Sequence, residues 1–162
     1  MSIRCFVDTG AWFALLMAAD PYHTAVRAEY MLAHSEGTIF ITSSLVLGEL
    51  YTLLFARTGA AAGFWSFRDE IALSGQVRVL HPTASQLDMA FDLLRHRPDK
   101  SYSFVDATSF VMMRDESIRT ALSLDRHFAQ EGFAVIPVPE KCLHEPSQPY
   151  LTGSTHASSC SE

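Results

Sequence analysis

The fold is decided first by Ile3-Arg4-Cys5-Phe6-Val7-Asp8, a short apolar run near the beginning of the chain that ends in an acid. An apolar run of this length without polar alternation predicts a strand that is buried on both faces. Ala11–Ala18, which follows almost at once, predicts a short helix. The beginning of the chain therefore predicts a buried strand and a helix, with Asp8 at the carboxyl end of the strand.

The same alternation continues along the chain. Four further apolar runs of strand length follow, at Thr38–Ile41, Val77–Leu80, Thr120–Leu124 and Ala134–Val138. Stretches of helical period lie between them, at Tyr22–His34, Ser43–Arg57, Ala60–Leu73, Thr83–Arg95, Ser103–Arg114 and Arg126–Gln130. Strands that alternate with helices predict βαβ units and a mostly parallel sheet that is covered on both faces.

Length and composition limit the domain organisation and the location. At 162 residues, 48% of them apolar, the chain is about one domain long. We expect this domain at residues 1–140, and a polar, disordered tail rich in Ser, Thr, Gly and Pro at 141–162. No apolar run reaches the roughly 20 residues of a membrane span. There is no secretory hydrophobic region, so we expect a cytoplasmic protein without membrane contact.

Charge and cysteines exclude other classes of site. The net charge of −6 argues against sequence-blind binding of nucleic acid, which depends on neutralising phosphates. An enzyme with a local acidic site is compatible with that charge, provided that a cation offsets the carboxylates. The three cysteines, Cys5, Cys142 and Cys160, are widely spaced. Such a set predicts neither a disulfide framework nor a zinc site.

Four acids stand out because their neighbours in the sequence are apolar: Asp8, Glu49, Asp106 and Asp125. A carboxylate in such a place must be paired, protonated or bound to a cation. No lysine or arginine lies three or four residues from Glu49 or Asp106, so no ion pair within a helix is available. If the acids converge beyond the strand ends, they repel one another, and a divalent cation such as Mg²⁺ or Mn²⁺ relieves the repulsion.

Helix capping is an alternative for three of these acids. Asp8 and Asp125 each precede a predicted helix, and Ser103 with Asp106 has the spacing of a capping box. Glu49 lies in the middle of a predicted helix, where no cap is needed. The four acids together therefore favour a metal site that hydrolyses a phosphodiester bond.

Four segments that contain these acids resemble the motifs of a known family. They are Phe6-Val7-Asp8-Thr9, Ser44-Leu45-Val46-Leu47-Gly48-Glu49-Leu50, Phe104-Val105-Asp106-Ala107 and Ser123-Leu124-Asp125-Arg126-His127-Phe128. Their order and spacing resemble the acidic motifs of PIN-domain nucleases, in the VapC-like toxin branch. The resemblance covers roughly Ile3–Val138.

The resemblance implies a three-layer α/β/α sandwich and an endoribonuclease that depends on Mg²⁺ or Mn²⁺. It implies that the four acids bind the metal or orient its water, and that the hydroxyls of Thr9 and Ser123 support the site. It further implies an RNA substrate, a homodimer, and a cognate antitoxin whose tail occupies the active-site groove. Gly10, where the family often has Asn, departs from the pattern, and we expect it to affect the loop rather than the metal.

Two other functions match parts of the sequence. Asp8-Thr9-Gly10 spells the D-T-G motif of aspartic proteases, but that fold is all-β and this chain is predicted to be largely helical. The second alternative is a catalytically inactive PIN-like module that binds RNA or a protein, and the complete set of acids argues against it. His127 is close to Asp125 in the sequence and could reach the site, but we expect it at the surface or in a capping contact.

Overall fold

The computed structural model describes residues 3–60 and 62–136. The five strands are β1 (Arg4–Val7), β2 (Ile39–Ser43), β3 (Val77–Leu80), β4 (Thr120–Leu122) and β5 (Ala134–Val135). The seven helices are α1 (Thr9–Leu16), α2 (His23–Ser35), α3 (Ser44–Thr58), α4 (Ala62–Leu73), α5 (Ala84–His96), α6 (Phe104–Asp115) and α7 (Arg126–Gln130). Every predicted strand and helix is present, with small shifts at the ends. Val138 and the predicted tail at 141–162 lie outside the described residues.

The five strands form one parallel sheet in the order β3-β2-β1-β4-β5. β1 is central: Phe6 lies opposite Ile41 of β2 on one side and Ala121 of β4 on the other. The strand order reverses between β1 and β4. In open parallel sheets, ligands bind beyond the carboxyl ends of the strands at such a reversal.

The helices form one layer on each face of the sheet. The chain moves from β1 to β3 in one direction and from β3 to β5 in the other. Because parallel crossovers are right-handed, α1–α4 cover one face and α5–α7 cover the other. Helix packing agrees, since α1 contacts α2 and α3, whereas α6 contacts α5 and α7. The result is the predicted three-layer α/β/α sandwich, and it is incompatible with the all-β fold of aspartic proteases.

The core holds the ends of β1 and β4 in place. Phe6 and Phe128 are fully buried and stack, and Phe110 meets Phe128 edge to face. Each buried side chain of this size contributes about 1.5–3 kcal/mol of transfer free energy. On the other face, the Trp12 indole N–H donates to Thr42 Oγ1 at 3.1 Å. The aromatic contacts fix β1, which leads into Asp8, and α7, which begins after Asp125. Ala121 and Leu122 of β4 are fully buried in the same core.

Two details differ from the prediction. β4 ends at Leu122 rather than Leu124, because the Asp125 N–H donates to Ser123 Oγ at 3.0 Å and turns the chain towards α7. Gly10 lies in the first turn of α1 rather than in a loop. None of the described helices has both the length and the apolar character that a membrane crossing requires.

Candidate functional site

Asp8 lies directly beyond β1 and is 7% exposed. It precedes α1, but its side chain makes no capping hydrogen bond, so the capping interpretation of Asp8 is wrong. Its Oδ2 instead accepts a hydrogen bond from Ser123 Oγ at 3.1 Å. Ser123 thus contacts the Asp8 carboxylate directly.

The surroundings of Asp8 favour the protonated acid. Burial raises the pKa of Asp8 to about 8, and the nearby Asp106, Asp125 and Glu49 add to the increase, against a small opposing effect of the Thr9 backbone. Because each of the other three acids contributes, all four predicted acids lie close enough to interact. A cation that joins the site would therefore stabilise the negative charge of Asp8.

Glu49 is half-buried in the middle of α3 and approaches the same region from the layer of α1–α4. Thr9 Oγ1 donates a short hydrogen bond to Glu49 Oε2. Burial raises the pKa of Glu49, the Thr9 hydrogen bond lowers it, and the charges of Asp106 and Asp125 raise it further. The hydroxyl of Thr9 thus holds one oxygen of the Glu49 carboxylate.

Asp106 and Asp125 both cap helices. Asp106 Oδ2 accepts from the Ser103 N–H at 2.8 Å in a complete capping box at the start of α6. Asp125 Oδ1 accepts from the His127 N–H at 2.8 Å at the start of α7. The capping interpretation is confirmed for both acids. It engages Asp106 Oδ2 and Asp125 Oδ1 in one hydrogen bond each. The second oxygen of each carboxylate and the remaining lone pair of each capping oxygen stay available to a ligand.

His127 lies in the site itself, the less expected of the positions that its sequence allowed. It is 4% exposed, so the expected surface position is wrong. Its Nδ1 lies 3.0 Å from Asp125 Oδ2 and 3.7 Å from Asp106 Oδ2. The Asp106 carboxylate raises the pKa of His127, burial lowers it, and Asp125 adds to the increase. The signal in the sequence was its position two residues after Asp125, in the first turn of a helix that is itself only five residues long.

The donor set at this edge of the sheet fits a divalent cation. Asp106, Asp125 and His127 offer one ligand atom each, all within 4.8 Å of one another. Among the described residues, no lysine or arginine forms a salt bridge with any of the four acids. Asp8 and Glu49 lie beside this trio without belonging to it. Carboxylate oxygens that lack a cationic partner are suitable ligands for Mg²⁺ or Mn²⁺.

Comparison with known proteins identifies the family. The family model for the PIN domain matches residues 5–133. The 23S rRNA-specific endonuclease VapC20 of Mycobacterium tuberculosis (strain CDC 1551 / Oshkosh) is 40% identical over 131 residues, which cover 81% of this chain and 96% of VapC20. Ribonuclease VapC26 of Mycobacterium tuberculosis (strain ATCC 25618 / H37Rv) is 30% identical over 124 residues, or 76% of this chain and 88% of VapC26.

A solved structure extends the likeness to three dimensions. The crystal structure of Mycobacterium tuberculosis VapC20, described as a sarcin-ricin loop cleaving toxin, matches with a TM-score of 0.72 and 38% sequence identity. The match covers 80% of this chain and 96% of that one. The parallel sheet, the four acids around its central strands and the relatives thus lead to the same result: this chain belongs to the PIN-domain family, in its VapC-like branch.

Proposed function

We propose that this protein is a metal-dependent endoribonuclease that hydrolyses phosphodiester bonds in RNA and acts as the toxin of a toxin–antitoxin pair. One observation carries the proposal: four carboxylates meet beyond β1 and β4, their charges raise the pKa of Asp8, and among the described residues no lysine or arginine pairs with them. The inactive alternative has no comparable support, because the acid set is complete. The ribonuclease names of VapC20 and VapC26 support the same conclusion.

The chain's own residues hold the carboxylates ready for the cation. Ser123 fixes Asp8, Thr9 fixes Glu49, and the two helix caps fix Asp106 and Asp125. When bound, Mg²⁺ or Mn²⁺ orients water, lowers the pKa of that water and offsets charge that develops on the phosphoryl group. The carboxylates would serve as its ligands and would restrict the directions from which the phosphate approaches. Such fixed ligands need little rearrangement during the reaction.

The first substrate to test is 23S rRNA. VapC20 is a 23S rRNA-specific endonuclease, and 96% of its length is covered by the match to this chain. A substrate of this kind would place the protein in the cytoplasm.

The proposal includes a homodimer and a cognate antitoxin as partners. Exposed apolar side chains support such contacts in two places. Tyr51, Phe55 and Trp65 form an aromatic cluster on α3 and α4, and Met89 and Phe91 are exposed on α5. The remaining aromatic residues of α4, Phe64 and Phe67, belong to the core. The molar mass of the purified protein, measured by light scattering, tests the dimer.

The test of the activity is RNA cleavage by the purified protein with Mg²⁺ or Mn²⁺, with EDTA, and by an Asp8→Asn variant. We expect cleavage that needs the metal and is lost in the variant, because Asp8 is buried beside the other three acids. The matched control is Asp88→Asn, which changes an exposed aspartate of α5 and should cut normally. A folded, antitoxin-free protein that cleaves neither 23S rRNA nor any other RNA would favour the binding-only alternative.

A further inference from the structure

We propose that His127 is a ligand of the metal site through Nδ1, so that the site offers nitrogen as well as oxygen and binds Mn²⁺ in preference to Mg²⁺. The inference rests on the proposed function, because it concerns the same cation. It goes beyond the four acids, since it adds a residue of a different chemical type and a choice between metals.

The first argument is the burial of an unpartnered nitrogen. His127 is 4% exposed, and its Nδ1 has no hydrogen-bond partner among the described residues, although Asp125 Oδ2 lies only 3.0 Å away. The distance between Nδ1 and Oδ2 is short enough for an ion pair, but the two atoms do not form a hydrogen bond. Buried polar atoms almost always have a partner, so an orphaned one calls for a ligand.

The second argument is the spacing of the three donor atoms. Two ligands at right angles around an ion, each at about 2.1 Å, lie about 3 Å apart. The separation of 3.0 Å between His127 Nδ1 and Asp125 Oδ2 is of this size, and Asp106 Oδ2 lies 3.7 Å from the same nitrogen. The trio is therefore spaced like adjacent ligands of one cation.

The third argument is the environment of the other ring nitrogen. His127 Nε2 faces Ser101 Oγ at 3.3 Å, and the ring of Tyr102 meets the imidazole edge to face at 4.9 Å. A metal-binding histidine usually directs its second nitrogen to a polar partner, which fixes the tautomer and the ring orientation. With the proton on Nε2, Nδ1 presents a lone pair to two carboxylates. That contact is repulsive unless a cation lies among the three groups or Nδ1 itself carries a proton.

The expected consequence is a preference between metals. Imidazole nitrogen is a better donor to transition-metal ions than to Mg²⁺, which favours carboxylate and water oxygen. Removal of the imidazole should therefore weaken Mn²⁺ binding more than Mg²⁺ binding. The competing explanation is an imidazolium that forms an ion pair with Asp125, and it predicts no direct bond between nitrogen and metal.

The experiment is electron spin echo spectroscopy of Mn²⁺ bound to the full-length protein. We expect a ¹⁴N modulation from a directly bound imidazole, replaced by a ¹⁵N signal when the protein is labelled with [¹⁵N]histidine. Labelling changes no atom's chemistry, so this measurement does not depend on the folding of any variant. Bound Mn²⁺ without a histidine nitrogen coupling would overturn the inference.

Variants then identify the histidine. His127→Gln should lose the nitrogen signal and bind Mn²⁺ at least about tenfold more weakly, with a smaller change for Mg²⁺. The matched control is His96→Gln, at an exposed position where Nδ1 already contacts the Asp92 carbonyl oxygen, and it should keep the signal. Ser101→Ala should keep the signal and weaken Mn²⁺ binding, because it removes only the partner of Nε2. A signal that persists in folded His127→Gln would overturn the assignment.

The result also separates this inference from the proposed function. A wild-type protein that binds Mn²⁺ and cuts RNA, but shows no nitrogen coupling, would contradict the role of His127 alone. A wild-type protein that binds neither Mn²⁺ nor Mg²⁺ would contradict both the inference and the metal dependence on which it rests.

Discussion

Two regions of this molecule bury carboxylates, and the surroundings of the two have opposite effects on the carboxylate charge. Beyond β1 and β4, Asp8 is surrounded by other acids. At the end of α7, the side chain of Glu131 is 1% exposed, yet it accepts hydrogen bonds from Tyr102 at 2.8 Å and from Arg114. Arg97 adds a second positive charge at 3.6 Å from Glu131.

The pKa values of the two regions move in opposite directions. Burial raises the pKa of Asp8 to about 8, and the neighbouring acids reinforce this effect. Burial also acts to raise the pKa of Glu131, but the hydrogen bonds from Arg114 and Tyr102 and the charge of Arg97 outweigh it and leave the pKa lowered. The same carboxyl group is therefore stabilised as an anion in one region and disfavoured as an anion in the other.

The difference shows that the lack of cationic partners at the acidic site is specific to that site. At Glu131 this fold brings two arginines to one buried carboxylate. At the acidic site, four carboxylates and a histidine converge, and among the described residues no arginine or lysine pairs with them. The site thus keeps a place for a positive charge that the protein itself does not supply.

The largest effect that we expect is the loss of RNA cleavage in Asp106→Asn. The amide oxygen can still accept from the Ser103 N–H, so the capping box and the fold should persist. The negative charge is lost, however, and loss of a ligand should reduce cleavage by more than the roughly 100-fold typical of residues that only support ligands. Cleavage rates with Mn²⁺ and a circular dichroism melt provide the measurements. An active Asp106→Asn variant would contradict the assignment of the site.

The second effect, smaller than the first, is a fall in the stability of the metal-free protein as the pH rises. Folded Asp8 keeps its proton up to about pH 8, whereas the unfolded chain loses it near 3.8. Between these values the folded state binds more protons, so stability decreases as the pH rises. The raised pKa of His127 acts in the same direction at the upper end of this range. The expected total is on the order of a few kcal/mol.

Thermal melts of the EDTA-treated protein from pH 5 to pH 8 measure this effect. Asp8→Asn should flatten the profile, whereas Asp88→Asn should leave it unchanged. Mn²⁺ should raise the melting temperature most at high pH, because its ligands bind it in their deprotonated form. A melting temperature that rises with pH in the metal-free wild type would contradict the picture of four repelling acids.

Much of this site could be predicted from the sequence, and the reason is local. Asp8 and Asp125 follow apolar strands, and Glu49 interrupts an apolar helix, so each acid is visible in its own segment. The partners are not local: Ser123 and Asp8 are 115 residues apart, and Thr9 and Glu49 are 40 apart. Their hydrogen bonds depend on how the strands are ordered in the sheet, which no single segment specifies.

Two buried side chains, those of His127 and Glu131, show the same limit more sharply. His127 is buried because Tyr102 and Ser101, which precede α6, pack on a ring that belongs to α7. A short segment of amphipathic sequence gives no sign of that contact. The burial of Glu131 could not be predicted for the same reason, since its partners Arg97 and Arg114 come from the end of α5 and the end of α6.

The smallest effect that we expect is a loss of stability in Glu131→Ala, which removes the buried carboxylate that is stabilised as an anion. Loss of one carboxylate from a buried pair often costs about 3–5 kcal/mol. Here the side chains of Arg97 and Arg114 are 44% and 46% exposed, so water solvates their charges when the carboxylate is removed. We therefore expect the free energy of unfolding to fall by only about 1–2 kcal/mol. The control is Glu116→Ala, whose contact with Arg4 is exposed on both sides and should change stability by less than about 1 kcal/mol.

Urea denaturation at neutral pH measures how much each variant lowers the free energy of unfolding. The same measurement below pH 4 tests whether the effect of Glu131→Ala depends on the charge of the carboxylate. Because the pKa of folded Glu131 is lowered, its contribution is present above the pKa of the unfolded chain and is lost as the pH falls through the folded value. The difference in the free energy of unfolding between wild type and Glu131→Ala should therefore become smaller in acid. This is opposite to the contribution of Asp8, which decreases as the pH rises. A gap that widens in acid would mean that Tyr102 and the arginines do not stabilise the anion, and the contrast between the two regions would fail.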